Sequence, residues 1–181
     1  MSFLVISSSL NPDSRSRVLA RAALAALDRH GHHADWMDLR DYALPLCDGS
    51  YSYAHPEVAD VKQRIAQAQG VVFAVPVYNF SAGSAAKNLV ELAGDAWRNQ
   101  TVAFLCAAGG RSSYMAVMGL ANSLMLDFRT LIVPRFVYAL ETDVENGRVV
   151  TPAILERIDE VATQLVRLSR AGKVALEQGG A

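Results

Sequence analysis

Only two cysteines, Cys47 and Cys106, occur in 181 residues, far apart and without a C-x-x-C pair. Their scarcity excludes a disulfide scaffold and a structural zinc site, so reduced thiols are the expectation. An excess of one charge is also lacking, since 17 basic and 18 acidic residues leave a net charge of −1. With no basic stripe or tail to neutralise a phosphate backbone, nucleic acid is not an expected partner. Apolar runs are short, as in Val71–Val75 and Val102–Ala108. They fall far below the roughly 18–20 residues of a membrane span, so no bilayer is expected. Met1–Ile6 lacks the basic n-region and small-residue cleavage site of a secretory signal, and a cytoplasmic location is expected. What the chain does have is apolar residues, 51% against 19% charged. That balance argues against disorder and for a rich core or a buried subunit interface. The length fits one domain over residues 1–181.

Short apolar runs alternate with helical periodicity, the pattern of repeated β-α units around a parallel sheet covered on both faces. Strands are predicted at Phe3–Ser7, Ala34–Leu39, Val71–Val75 (ended by Pro76), Thr101–Ala107 and Thr130–Tyr138, the last with Pro134 marking an edge or a bulge. Helices are predicted at Ser16–His30 with Gly31 to end it, from Pro56, over Ser84–Trp97, from the Ala108–Ser113 loop to Leu126, and from a Thr151–Pro152 start. Asp41–His55 shows neither period and is predicted to be an irregular surface segment. Gln178–Ala181 is expected to fray. Five strands and their helices suit a three-layer α/β/α sandwich of flavodoxin-like type, with a five-stranded parallel sheet of order 2-1-3-4-5. Ligands of such sheets bind beyond the carboxyl ends of the strands, which directs attention to the loops after strands 1, 3 and 4.

The first loop, Ser7–Arg17, combines hydroxyls with the start of a helix. Backbone N–H groups, the positive end of the helix dipole and Ser9, Ser14 and Ser16 suit a phosphate, with charge from Arg15 or Arg17; the plain alternative is a proline turn and a serine cap. Neither a Walker loop nor G-x-G-x-x-G is present, which removes support for ATP and for the usual dinucleotide fold. The second loop gathers Pro76, Val77, Tyr78, Asn79, Phe80 and Ser81, flat apolar surface beside an amide, as a planar heterocycle requires; alternatively the aromatics cover the core edge. In the third, Gly109 and Gly110 let the backbone approach a ligand closely beside Arg111, or simply make a turn. Together the three make a site for a phosphate at one end and a flat ring at the other.

At these residues the sequence resembles the NADPH-dependent FMN reductase family, flavodoxin-like proteins that include quinone, azo-dye and chromate reductases. Ser8–Ser16 is similar to the family's G-S-x-R-x-x-S-x-N, with Ser9 and Ser14 matching its phosphate-binding serines, Ser16 standing for asparagine and Asn11 replacing its arginine. Pro76, Tyr78, Asn79, Ser81, Lys87 and Asn88 match P-x-Y-N-x-S and K-N. The resemblance implies FMN and NADPH as cofactors, a ring lying along Val77–Phe80, and Gly109–Arg111 on its pyrimidine side. It also implies hydride transfer at the flavin and onward delivery to a small acceptor, such as a quinone, an azo compound, a metal oxyanion or free flavin. A homodimer or homotetramer is expected from the family, the low charge and aromatic Tyr51, Tyr53, Trp97 and Tyr114.

Rival readings find less in the residues. A serine hydrolase lacks its G-x-S-x-G elbow, and the cluster His30, His32 and His33 falls where a helix ends, a setting that reads as a solvated helix end rather than a metal site. A flavodoxin-type electron carrier would show strong acidity and a threonine-rich loop, and neither is found.

Overall fold

Runs that are apolar at every position need cover on both sides, and the chain supplies it by alternating strands with helices. In the computed structural model, which describes residues 2–178, β1 (Phe3–Ser7) leads through α1 (Arg15–Arg29) to β2 (Ala34–Asp38), and α2 (Pro56–Gln67) leads to β3 (Val71–Tyr78). Then follow β4 (Ser81–Ala82), α3 (Ser84–Ala93), β5 (Thr101–Ala108), α4 (Met118–Phe128), β6 (Leu131–Ile132) and β7 (Val137–Leu140). A hairpin of β8 (Val144–Glu145) and β9 (Arg148–Val149) precedes α5 (Pro152–Gln178). The end expected to fray lies, beyond Gln178, outside the described residues.

The three-layer sandwich is as expected, but the sheet path is β2-β1-β3-β5-β6 rather than 2-1-3-4-5. Two departures change the numbering. A two-residue strand, β4, folds back antiparallel on the end of β3, pairing Val77 with Ala82 and Tyr78 with Ser81. The predicted strand Thr130–Tyr138 is broken into β6 and β7, both parallel to β5. Ile132 pairs with Val102 and Val137 with Leu105, so five steps of chain face three and the excess bulges out. Pro134, with no N–H to donate, and Arg135, at φ +60°, make that bulge.

Strand 3 also outruns its predicted end, continuing through Pro76 to Tyr78. The Ala74 carbonyl faces β1, where it accepts from the Ser8 amide, and by alternation Pro76 faces the same way. Since β1's last partner is Ser7, paired with Ala74, the missing N–H of Pro76 falls beyond the ladder and forfeits nothing. The Pro76 carbonyl accepts from the Gly83 amide at 2.8 Å instead.

Alternation along the strands divides the core in two. Leu4, Ile6, Phe73, Val75 and Phe104 pack under α2, α3 and α4; Phe3, Val5, Val72, Ala103 and Leu105 pack under α1 and α5. Trp97, expected among the exposed aromatics of an interface, is wholly buried and stacks on Phe73 at 5.5 Å, because Gly94–Trp97 forms a 3₁₀ turn that folds it inward after α3. Helix α1 starts one residue earlier than predicted, and Gly31, at φ +74°, ends it as expected. Ahead of α5, the Thr151 hydroxyl donates to Asp143 at 2.6 Å.

Candidate functional site

Ser7, Ser8 and Ser9 leave the end of β1 fully buried. The Ser8 amide and hydroxyl both donate to the Ala74 carbonyl of β3, at 3.1 and 2.8 Å, tying the loop to its neighbour strand. Ser9 Oγ accepts from the Asn11 amide at 3.3 Å and Asn11 Oδ1 accepts from the Asp13 amide at 3.0 Å, two local turns that fold the chain back towards α1. Ser14 is the N-cap of that helix: its Oγ accepts from the Arg17 amide at 3.3 Å and lies 2.8 Å from Ser16 Oγ. The plain reading of Ser14 therefore holds, and it coexists with a paired-hydroxyl surface at a helix start carrying no acid in its first turn. Ser7 Oγ is buried without a hydrogen-bond partner, facing α1 as Phe3 and Val5 do. An orphan donor beneath first-turn amides fits a site completed by an anion.

The two arginines expected to bring charge to this loop are engaged elsewhere. Arg17, on the buried side of α1, uses all five of its N–H groups within the protein. Nε and Nη2 reach the Asp38 carboxylate at 2.5 and 3.3 Å, Nη2 also reaches the Ser9 carbonyl at 2.9 Å, and Nη1 reaches the Asn11 and Pro12 carbonyls at 2.8 and 3.0 Å. It shapes the loop's backbone and has no donor to spare for a ligand. Arg15 is half-exposed and ion-paired with Glu141. The loop thus offers an anion neutral donors and a helix dipole more than a free guanidinium.

At the end of β3, Asn79 and Phe80 form a two-residue hairpin loop with φ of +49° and +62°, the primed turn that matches strand twist. The turn leaves Tyr78 53% and Phe80 66% exposed at the sheet's carboxyl edge, a flat apolar rim. Gly83 closes the hairpin so tightly that a Cβ there would lie 2.9 Å from Pro76 Cγ. Of the K-N pair, Lys87 pairs with Glu91 at 2.7 Å. Asn88 braces the irregular segment, its amide donating to the Pro45 carbonyl at 2.9 Å and accepting from the Cys47 amide at 2.8 Å.

After β5, Gly109 and Gly110 stand with nothing within 4 Å of where a Cβ would be, so a ligand can reach the backbone. The predicted Ala108–Ser113 loop is shorter, because a 3₁₀ turn already begins at the exposed Arg111 and runs to Val117. The Gly110 carbonyl accepts from the Tyr138 hydroxyl of β7 at 2.5 Å. Cys106 sits beneath, its thiol pushed up to about 12 by burial, inert as a nucleophile.

Because β1, β3 and β5 are adjacent and parallel, with Ser7 beside Ala74 and Pro76 beside Ala107, the three loops leave one edge together. Tyr138 and Asp38 belong to this edge without having been singled out from the sequence, while Tyr114, expected at an interface, and Arg17, expected to face the phosphate, sit here in other roles. Only the isolated apolar–aromatic alternation of Val137–Leu140 gave any signal for Tyr138. A separate groove of about 940 Å³ opens on the outer side of α3 and α4, among Tyr53, Glu91, Arg98, Asn122 and Leu126. The edge supplies donors at one end and aromatic surface at the other.

Residues 1–145 match the family model described as NADPH-dependent FMN reductase. An NAD(P)H-dependent FAD/FMN reductase of Geobacillus thermodenitrificans is 28% identical over 136 residues, 73% of each chain. A 2-hydroxy-1,4-benzoquinone reductase of Burkholderia is 37% identical over 94 residues, about half of each chain. An oxidoreductase structure from Corynebacterium diphtheriae superposes with a TM-score of 0.75 at 20% identity, covering 94% of this chain and 97% of that one. With most of its length matched by the family model, the chain belongs to the NADPH-dependent FMN reductase family of flavin-dependent oxidoreductases.

Proposed function

We propose that residues 1–181 form one FMN-binding domain that oxidises NADPH and reduces a small-molecule acceptor, a quinone first among the candidates. The observation that carries the reading is the convergence, on adjacent strand ends, of an anion-suited helix start, an aromatic hairpin and a glycine loop. In this arrangement Ser9, Asn11, Ser14 and Ser16 hold the phosphate, with Arg15 joining them only if it leaves Glu141, the Pro76–Ser81 hairpin lies along the ring, and Gly109, Gly110 and Arg111 flank its pyrimidine end. When bound, FMN supplies the redox chemistry, accepting a hydride from NADPH and passing electrons onward. The chain's own contribution is to bind, orient and polarise: fixed backbone N–H groups near Arg111 favour negative charge on the ring's pyrimidine edge. Exposed Tyr78 and Phe80 offer a flat acceptor an apolar surface to lie on. The similarity to a benzoquinone reductase supports a quinone, and an azo compound, a metal oxyanion and free flavin are the other acceptors to assay.

The same proposal places the protein in the cytoplasm as a homodimer or homotetramer. The α3–α4 groove supports association, since exposed Leu126 and half-exposed Tyr53 set apolar surface among its charged side chains. Sedimentation at micromolar concentration is expected to give a multiple of the protomer mass, and a monomer would refute that part.

The decisive experiment is an absorbance spectrum of the purified protein, with FMN added if it is colourless, followed by anaerobic NADPH. A flavin band that NADPH bleaches is expected. Replacing Ser14 and Ser16 together by alanine is expected to weaken FMN binding at least tenfold while leaving riboflavin binding within threefold. Failure to bind FMN sinks the proposal, and equal losses for FMN and riboflavin remove the phosphate assignment.

A further inference from the structure

Tyr138 lies on β7 opposite Cys106 of β5, one strand outward from the glycine loop. Its hydroxyl donates to the Gly110 carbonyl at 2.5 Å. Burial first, and then the Cys106 thiol, raise the Tyr138 pKa, and nearby Ser113 lowers it. The phenol of a sheet strand thus holds the Gly110 carbonyl directly and has Ser113 close by. The ring is held in turn, edge-on to Tyr114 at 5.2 Å and 63°, and Tyr114 stacks on Phe136 at 4.8 Å and 28°.

Before the 3₁₀ turn begins at Arg111, the Gly109–Gly110 step has little else to define it. Gly109 and Gly110 have no side chains and open space around them, so packing does not select a conformation, and glycine's wide torsional range would leave the loop many. The Gly110 carbonyl and the Arg111 N–H belong to one rigid trans peptide, in which they point in opposite directions. Fixing the carbonyl towards Tyr138 on β7 turns the Arg111 N–H away from it. The β3 hairpin, with its aromatic rim, flanks β5 on that other side.

We propose that Tyr138 is a positioning residue: its hydroxyl clamps the Gly110–Arg111 peptide so that the Arg111 N–H is aimed at the pyrimidine edge of the bound ring. This rests on the FMN reading above. A donor aimed there favours the reduced ring, which carries negative charge, over the neutral oxidised one. The clamp thus sets how readily the ring accepts a hydride, more than how tightly oxidised FMN is held.

Tyr138→Phe removes one oxygen and keeps the ring stack. In that variant the reduced cofactor is expected to lose about tenfold more affinity than the oxidised, a shift of ~30 mV to more negative midpoint potential for a two-electron couple. Oxidised FMN is expected to bind within threefold of wild type. Amide hydrogen exchange of the cofactor-free protein is expected to rise over residues 109–113. Ser113→Ala, which removes a hydroxyl close to the phenol, is expected to shift the potential in the same direction by less. It serves alone, with a negative shift still required, if Tyr138→Phe does not fold. Wild-type protein that takes up no FMN overturns both this inference and the function beneath it. Wild type that binds FMN, with a Tyr138→Phe potential within about 5 mV of its own, overturns the clamp alone, whatever the exchange rates do.

Discussion

Replacing Arg17 by methionine keeps the length of the side chain and removes its charge and its five donors. Arg17 and Asp38 side chains are 14% and 9% exposed, so the variant leaves a carboxylate in a largely desolvated place. Removing one partner of a buried ion pair costs about 3–5 kcal/mol. Asp38 retains the Arg40 amide at 3.1 Å, which moderates that loss to the lower end of the range. Of the three carbonyls that lose a donor, those of Asn11 and Pro12 belong to exposed residues and take up water, while that of Ser9 is buried and adds about 1 kcal/mol. The expected destabilisation of the cofactor-free protein is about 4 kcal/mol, and with a urea m-value of about 2 kcal/mol/M the midpoint falls by about 2 M. Adding Asp38→Asn removes the stranded charge and is expected to recover about 1 kcal/mol or more. A second measurement reads the loop itself: with its carbonyls released, FMN affinity should fall about tenfold more than riboflavin affinity, since only FMN uses the phosphate cradle. A midpoint shift below about 0.5 M, or a double variant less stable than the single one, would show that Arg17 is not what holds the loop.

Two shorter predictions concern titratable groups. Cys106 is buried, with its thiol pushed up to about 12, whereas Cys47 is only half-buried at 3.5 Å from the Tyr53 hydroxyl. A thiol reagent at pH 8 should therefore modify Cys47 alone in the native protein and both in urea; two reactive native thiols would contradict the burial. Asp48 is held at about 2 by the Ser52 hydroxyl at 2.7 Å, with the amides of Ser52 and Ser50 adding at 3.0 and 2.8 Å. Because its folded pKa is depressed, whatever it contributes to the 47–53 turn is complete above the usual 3.8 and lost as pH falls through about 2. Ser52→Ala should move the Asp48 carboxyl signal in an NMR titration back towards 3.8, and an unmoved titration would refute the assignment.

Periodicity carried the fold because it reports burial, and burial is what strands and helices are built around. The unbroken apolar run at Val71–Val75 announced a strand covered on both faces, and residues 72 and 74 do face one core while 71, 73 and 75 face the other. Periodicity is silent where hydrogen-bond geometry decides. Pro76 reads locally as a stop, and only the length of the neighbouring strand makes it harmless. The split at Pro134 was legible as an anomaly, but the bulge depends on register against β5, which no local pattern encodes. Trp97 looked like surface because its neighbours are polar, yet a 3₁₀ turn sends it into the core.

The same division applies at the site. Residues that meet a ligand through backbone or short side chains sit in compact motifs, so Ser9–Ser16, Pro76–Ser81 and Gly109–Arg111 were readable as three loops. What holds each loop in shape comes from far along the chain: Asp38 through Arg17, Ala74 beneath Ser8, Tyr138 above Gly110. Nothing local distinguishes those residues from ordinary strand ends.

Two departures from local preference fall at this edge. A primed hairpin turn prefers Asn-Gly, yet the second position here is Phe80 at φ +62°, a conformation that costs an L-residue about 1–2 kcal/mol, with a phenyl ring left 66% exposed. At the end of β1 the Ser7 hydroxyl is buried without a hydrogen-bond partner. Each is a local cost that neither sheet nor core requires. Costs of the same kind occur elsewhere, as at the orphaned Trp97 Nε1 and at Arg129 with φ +54°, so what singles out the ends of β1 and β3 is that an orphan donor and an exposed aromatic ring there lie on one sheet edge, where a cofactor would meet both.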